Sequence, residues 1–292
     1  MTPPPIENYF VCIGAQKSGT TWLGRVLQDH PDVFVTPVKE IHYFDHIAGI
    51  TQHLGNGKRR SRYRKYHQRM WTQWGSFKAH RSQWAWYRDY MSSPIDDAWY
   101  ARLFQHRGGK RMAGELTPEY AILGRAGLAH IARLAPDARV IFIMRNPVAR
   151  TWSQVLHQCR SRGLDVARLS TEDIVAMIGE PRFGELGDYA STLDDMAATF
   201  PPDRILNLFY EEMHADRPAA IALVCAYLGV AFDPAYFGEL GRRFNRSQDA
   251  VLPDPVRAHL VAMMKPQAIA VRDRLGRIPQ AWAREFGIAE NP

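Results

Sequence analysis

Short apolar runs punctuate this chain at intervals that suit a parallel sheet. Tyr9 to Gly14, Val33 to Val35, residues 111–116, Arg139 to Met144 and Arg204 to Phe209 are each too short for a helix, and most are continuously apolar. Runs of this kind predict strands buried on both faces. Between them the pattern turns helical. Thr20 to His30 reads as a helix that stops where Pro31 cannot continue it, and the segment after Pro118 leads into one ending near Ala135. A helix opens after Asn146-Pro147, another runs from Gly187-Asp-Tyr189 to Phe200, and a third from Asp216-Arg-Pro218 to Leu228, closed by Gly229. Ser170 or Thr171 is the cap for a helix through Ile178, and the tail from Pro255 to Phe286 reads as helices with Arg and Lys on the polar face. Strands alternating with helices predict an α/β fold: a P-loop-like three-layer arrangement with a mainly parallel central sheet flanked by helices. A single domain over residues 1–292 is expected. Within it, residues 46–112 form a variable insertion rich in Trp, Lys and Arg.

Composition narrows the setting. The chain of 292 residues is 46% hydrophobic and 23% charged, ordinary for a globular protein with a substantial core. No stretch approaches the roughly 20 apolar residues a membrane span requires, and no targeting segment is read, so a cytoplasmic protein is expected. Cys12, Cys159 and Cys225 lack metal-type spacing and are expected to be buried free thiols. A formal charge of +7 points to anionic partners: a nucleotide, a nucleic acid, an acidic glycan or a membrane surface.

Three clusters of polar residues follow predicted strands. In the first, the strand breaks at Gly14 into a loop, Gln16-Lys-Ser-Gly-Thr-Thr-Trp22, that opens a helix. Gly14 and Gly19 permit tight turns, and Ser18, Gly19, Thr20 and Thr21 can aim unpaired amides, hydroxyls and the positive helix end at an anion. Lys17 adds a full charge. The ATP-binding P-loop places its Lys after the second Gly, whereas Lys17 sits two residues before Gly19, a position that suits a 5′-phosphate better than a triphosphate. In the second cluster the apolar strand ends in Arg145, where a magnesium-dependent kinase would place an acid, and Ser153 follows eight residues on in the next helix. Arg145 suits phosphate better than metal, and no metal is expected. The third, Lys39-Glu-Ile-His-Tyr-Phe-Asp45, packs a Lys, Glu, His and Asp where open α/β sheets bind ligands, and supplies candidates for a general base.

At Lys17 to Trp22 the sequence resembles the sulfotransferases that use 3′-phosphoadenosine 5′-phosphosulfate (PAPS), whose 5′-phosphosulfate loop reads Lys-Ser-Gly-Thr-Thr-Trp. Arg145, Asn146-Pro147 and Ser153 resemble the same family's 3′-phosphate signature. Residues 39–45 resemble the Lys-Glu-x-His-x-Phe-Asp motif of its heparan sulfate and glycolipid branch, and the likeness runs from about residue 9 to residue 230. The resemblance implies in-line transfer of a sulfuryl group from PAPS to a hydroxyl, or as second choice an amine, leaving 3′-phosphoadenosine 5′-phosphate (PAP). It makes Glu40 the base, Lys17 the group assisting departure, and His42 and Asp45 its supports. Trp22 and Tyr210 would flank the adenine, and Arg246 would belong to a loop over the 3′-phosphate. Leu116 stands where the family often has Lys, which argues against a heparan-like acceptor. A small-molecule, glycan or lipid-linked acceptor is expected and nucleic acid is not; nothing marks an interface, which leaves a homo-oligomer open. The alternatives are a P-loop kinase for a nucleotide or small molecule, and a non-catalytic basic module binding glycan or nucleic acid.

Overall fold

The computed structural model describes residues 4–72, 77–238 and 250–292, and the side chains among them outside residues 69–82. Five strands form one sheet: β1 (Tyr9–Gly14), β2 (Val33–Val35), β3 (Met112–Leu116), β4 (Arg139–Met144) and β5 (Ile205–Phe209). Their spatial order is β2-β3-β1-β4-β5, and every pairing is parallel. Val11 of β1 lies opposite Glu115 on one side and Val140 on the other.

Parallel pairing needs a crossover between successive strands, and helices supply it. They are α1 (Thr20–Asp29) after β1, and α2 (Tyr43–Ile47), α3 (Asn56–Thr72), α4 (Phe77–Met91) and α5 (Asp97–Gln105) between β2 and β3. Next come α6 (Gly124–Leu134) before β4, then α7 (Pro147–Arg162), α8 (Thr171–Ile178), α9 (Pro181–Glu185) and α10 (Tyr189–Thr199) before β5. The chain closes with α11 (Tyr210–Ala215), α12 (Arg217–Leu228), α13 (Asp254–Leu275) and α14 (Gln280–Phe286). The insertion after β2 is thus largely helical.

The period of two along each strand builds three layers. Tyr9, Val11 and Ile13 of β1, with Val140, Phe142 and Met144 of β4, enter one core with α6, α7, α10 and α13. The alternate residues Phe10, Cys12, Ile141 and Ile143 enter a second core, with Leu23, Val26 and Leu27 of α1 and Ile221, Val224 and Leu228 of α12. Local signals fix several helix ends. Ser170 and Asp173 form a reciprocal capping box on α8, Asn146 caps α7 through the amides of Val148 and Ala149, and Gly229 closes α12 in the left-handed conformation. The three cysteines are free and buried. Among the described residues no helix is long and apolar enough to cross a membrane.

Candidate active site

Each polar cluster foreseen in the sequence emerges at the carboxyl end of a strand, and neighbouring strand ends bring the clusters together. The loop after β1 opens α1 at Gly19, whose φ of 88° is left-handed and whose Cα faces the ring of Tyr210. A Cβ there would lie a tight 3.1 Å from that ring, so both the backbone angle and the packing favour glycine. The amides of Lys17, Gly19, Thr20 and Thr21 donate to no acceptor among the described residues, and the first turn of α1 carries no acid. Those open donors and the positive helix end form an anion cradle. Burial lowers the Lys17 ammonium below its ordinary range, and the charges of Arg160, Arg145 and Lys39 lower it further.

Arg145, at the end of β4, joins this loop. Its Nη1 donates to the carbonyl of Lys17 at 3.1 Å, and its guanidinium lies 4.7 Å from the centre of the Tyr210 ring. No carboxylate pairs with it among the described residues. Ser153 is buried on the second turn of α7. Tyr210, the first residue after β5, stacks on His214 at 3.9 Å. Trp22 is 4% exposed and packs within the α1 core, 5.5 Å from the His214 ring. Arg246 lies outside the described residues.

The third cluster follows β2. Lys17, Glu40 and His42 are three of the four described non-glycine residues with positive φ, at 71°, 59° and 63°. Such backbone costs about 1–2 kcal/mol per residue and persists where the surroundings impose it. Around Glu40 and His42 the surroundings are hydrogen bonds to β3 and the turn after it: the Ile41 amide donates to Glu115 Oε2 at 3.1 Å, and the Tyr43 amide to the hydroxyl of Tyr120 at 3.0 Å. Glu115 is fully buried and also accepts from Tyr100, Thr117 and Tyr120. Lys39 spans the two loops, its Nζ donating to Thr21 Oγ1 at 2.5 Å and pairing with Glu40 Oε1 at 2.8 Å.

His42 donates from Nδ1 to Asp45 Oδ2 at 2.8 Å, and Thr51 donates to the same carboxylate oxygen. The His42 Nε2 lies 3.8 Å from Glu40 Oε2. Burial alone would depress the imidazole, but the carboxylates of Asp45 and Glu40 outweigh it and raise His42 to about 9. Glu40 is affected in the opposite sense: burial opposes ionisation, yet His42 and Lys39 bring it to about 2. Two carboxyls not singled out from the sequence, Glu115 and Glu119, complete the centre. Glu119, at the head of the turn after β3, accepts from Gln16 Nε2 at 3.1 Å while its other oxygen is buried without a partner. Burial, then the Glu40 charge, raises its pKa. Ligand atoms of Glu40, His42 and Glu119 lie within 4.8 Å of one another. The signal for Glu115 was an acid inside a buried strand; Glu119, next to Pro118, carried none.

An anion cradle and a carboxylate–imidazole pair thus share the carboxyl edge of a parallel α/β sheet. A family profile described as Sulfotransferase family matches residues 10–234, and the chain belongs to that family. Its fold is similar to the crystal structure of a sulfotransferase from Alicyclobacillus acidocaldarius, with a TM-score of 0.65 at 21% identity over 96% of this chain and 99% of that one. It is also similar to the sulfotransferase domain of the Synechococcus PCC 7002 olefin synthase, with a TM-score of 0.52 at 19% identity over 91% and 95% of the two chains. A comparison with curated proteins found no match.

Proposed function

We propose that the protein transfers the sulfuryl group of PAPS to an acceptor hydroxyl, with Glu40 as general base and Lys17 assisting the leaving group. The observation that carries this reading is the hydrogen bond from Arg145 to the Lys17 carbonyl, which places beside the helix-terminal cradle a cation with no carboxylate partner among the described residues. A 5′-phosphate on the cradle and a 3′-phosphate near Arg145 and Ser153 match the two charged ends of PAP. The donor supplies a sulfuryl group already bonded to a good leaving phosphate.

The residues then divide the work. The open amides of Lys17, Gly19, Thr20 and Thr21 and the hydroxyls of Thr20 and Thr21 hold the 5′-phosphate, and Lys17 meets the charge that develops on the departing oxygen. Tyr210 walls the nucleotide side. Glu40, clamped between Lys39 and His42, is ionised at any ordinary pH, so it accepts the hydrogen bond of the acceptor hydroxyl. Its low basicity means that the proton moves only as the new sulfur–oxygen bond makes the hydroxyl acidic. Asp45 and Thr51 orient His42, and His42 orients Glu40.

Calorimetric titration with PAP in EDTA, against ADP and ATP, tests the reading on wild type and Arg145→Ala. Binding that prefers the 3′-phosphorylated nucleotide and weakens in the variant is the expected result. No PAP binding, or a preference for magnesium-ATP, would overturn it in favour of a kinase.

A further inference from the structure

A cleft of about 1160 Å³ opens between α1, the segment after β2, the insertion helices α3 and α4, and the turn before β3. Six cations line it: Arg25, Lys39, Arg62, Lys65, Arg107 and Lys110. Its described lining contains no Asp or Glu. Four separate elements contribute, so the charge is not the polar face of one helix. Arg62 and Lys65 lie one turn apart on α3 and share a face. Lys110 is fixed by bonds to the carbonyls of His30 and Val33, Arg107 by a bond to the carbonyl of Glu7, and Arg62 by the hydroxyl of Tyr90. These acceptors are neutral. They hold the side chains without cancelling their charge, and none of Arg62, Lys65, Arg107 and Lys110 pairs with a carboxylate among the described residues. Like charges gathered in a concave site focus a field that favours a multivalent anion.

The cleft meets the proposed donor site at Thr20 and Thr21 and extends away from it. Arg145 and Tyr210 follow β4 and β5 on one side of β1, whereas the cleft flanks β2 and β3 on the other. Thr20, Thr21 and Lys39 belong to the cleft wall, and Lys39 touches both Thr21 and Glu40. Lys39 thus links the cleft to the base.

We propose that this cleft binds the acceptor through clustered phosphate or sulfate groups on a body small enough to enter it. Arg62, Lys65 and Arg107 grip the anions and present the hydroxyl to Glu40 past Lys39. The proposal rests on the sulfuryl-transfer reading, so the donor is titrated separately.

The test adds inositol hexakisphosphate, or sucrose octasulfate, to protein saturated with PAP, with sucrose as the uncharged control. The expected result is binding of one anion per chain alongside PAP, and none of sucrose. Lys65→Glu and Arg107→Glu should each weaken anion binding at least tenfold and leave PAP binding unchanged. Arg168→Glu, an exposed cation outside the cleft, should leave both unchanged. The two probes tell phosphate from sulfate, and tight binding of either supports the site. Displacement of PAP by the probe, equal weakening by Arg168→Glu, or no anion binding would overturn the cleft assignment while leaving the donor reading intact. Failure of PAP itself to bind would remove the donor reading, and the acceptor role with it.

Discussion

The backbone amide of Ile41 donates to the buried carboxylate of Glu115, 74 residues away, at 3.1 Å. That bond ties the loop holding Glu40 and His42 to β3, the strand beside the central β1. Because Tyr100, Thr117 and Tyr120 donate to the same carboxylate, its loss strands the Ile41 amide and the hydroxyls of Thr117 and Tyr120, while Tyr100 keeps Tyr9 as a partner. Glu115→Ala should destabilise the chain by about 3 kcal/mol, and Glu115→Gln by less, since the amide oxygen still accepts. Urea denaturation of both variants checks the order; equal losses would show that acceptance at residue 115 is unimportant.

Gly19 offers a sharper test of the cradle. Its φ of 88° and the Tyr210 ring 3.1 Å from a Cβ act independently. Gly19→Ala should therefore lose PAP binding and cost at least about 1 kcal/mol of stability. Adding Tyr210→Ala removes the clash and leaves the backbone strain, so the double variant should recover only part of the stability. Full recovery would mean that the backbone conformation carries no cost.

His42 makes a prediction in pH. Asp45, Glu40 and Glu119 face it, and the His53 ring stands 4.6 Å away. Its pKa is raised from 6.5 to about 9, so the stabilisation it provides is complete below 6.5 and is lost as pH rises through about 9. NMR titration of the imidazole should give a midpoint near 9, and Asp45→Asn should move it down toward the ordinary value. A midpoint near 6.5 in wild type would remove the imidazolium from the site.

The strands and the order of the three clusters were legible because buried parallel strands announce themselves as apolar runs, and because Lys17, Arg145 and Glu40 each follow one. Long-range pairing was not legible. Nothing local in the sequence says that β2 lies beyond β3, that Lys39 bridges Thr21 and Glu40, or that Gln16 meets Glu119. Trp22 was legible in part: its place beside the loop suits a nucleotide contact, and its burial on the apolar face of α1 depends on packing that the local sequence does not specify.

Glu40 and Glu119 present the final contrast. Both are carboxyls at one centre, but Glu40 is bracketed by Lys39 and His42 whereas Glu119 has one amide donor and a bare oxygen. If Glu40 takes the acceptor proton, Glu40→Gln should lower kcat about 10²–10⁴-fold and leave PAP affinity intact. Glu119 touches the donor loop through Gln16, so Glu119→Gln should act on KM more than on kcat: the neutral amide keeps the shape and the Gln16 contact while losing an anionic acceptor. PAP formation from PAPS across a panel of hydroxyl acceptors measures both. A larger kcat loss for Glu119→Gln than for Glu40→Gln would move the base to Glu119, whose raised pKa makes it the stronger proton acceptor of the two.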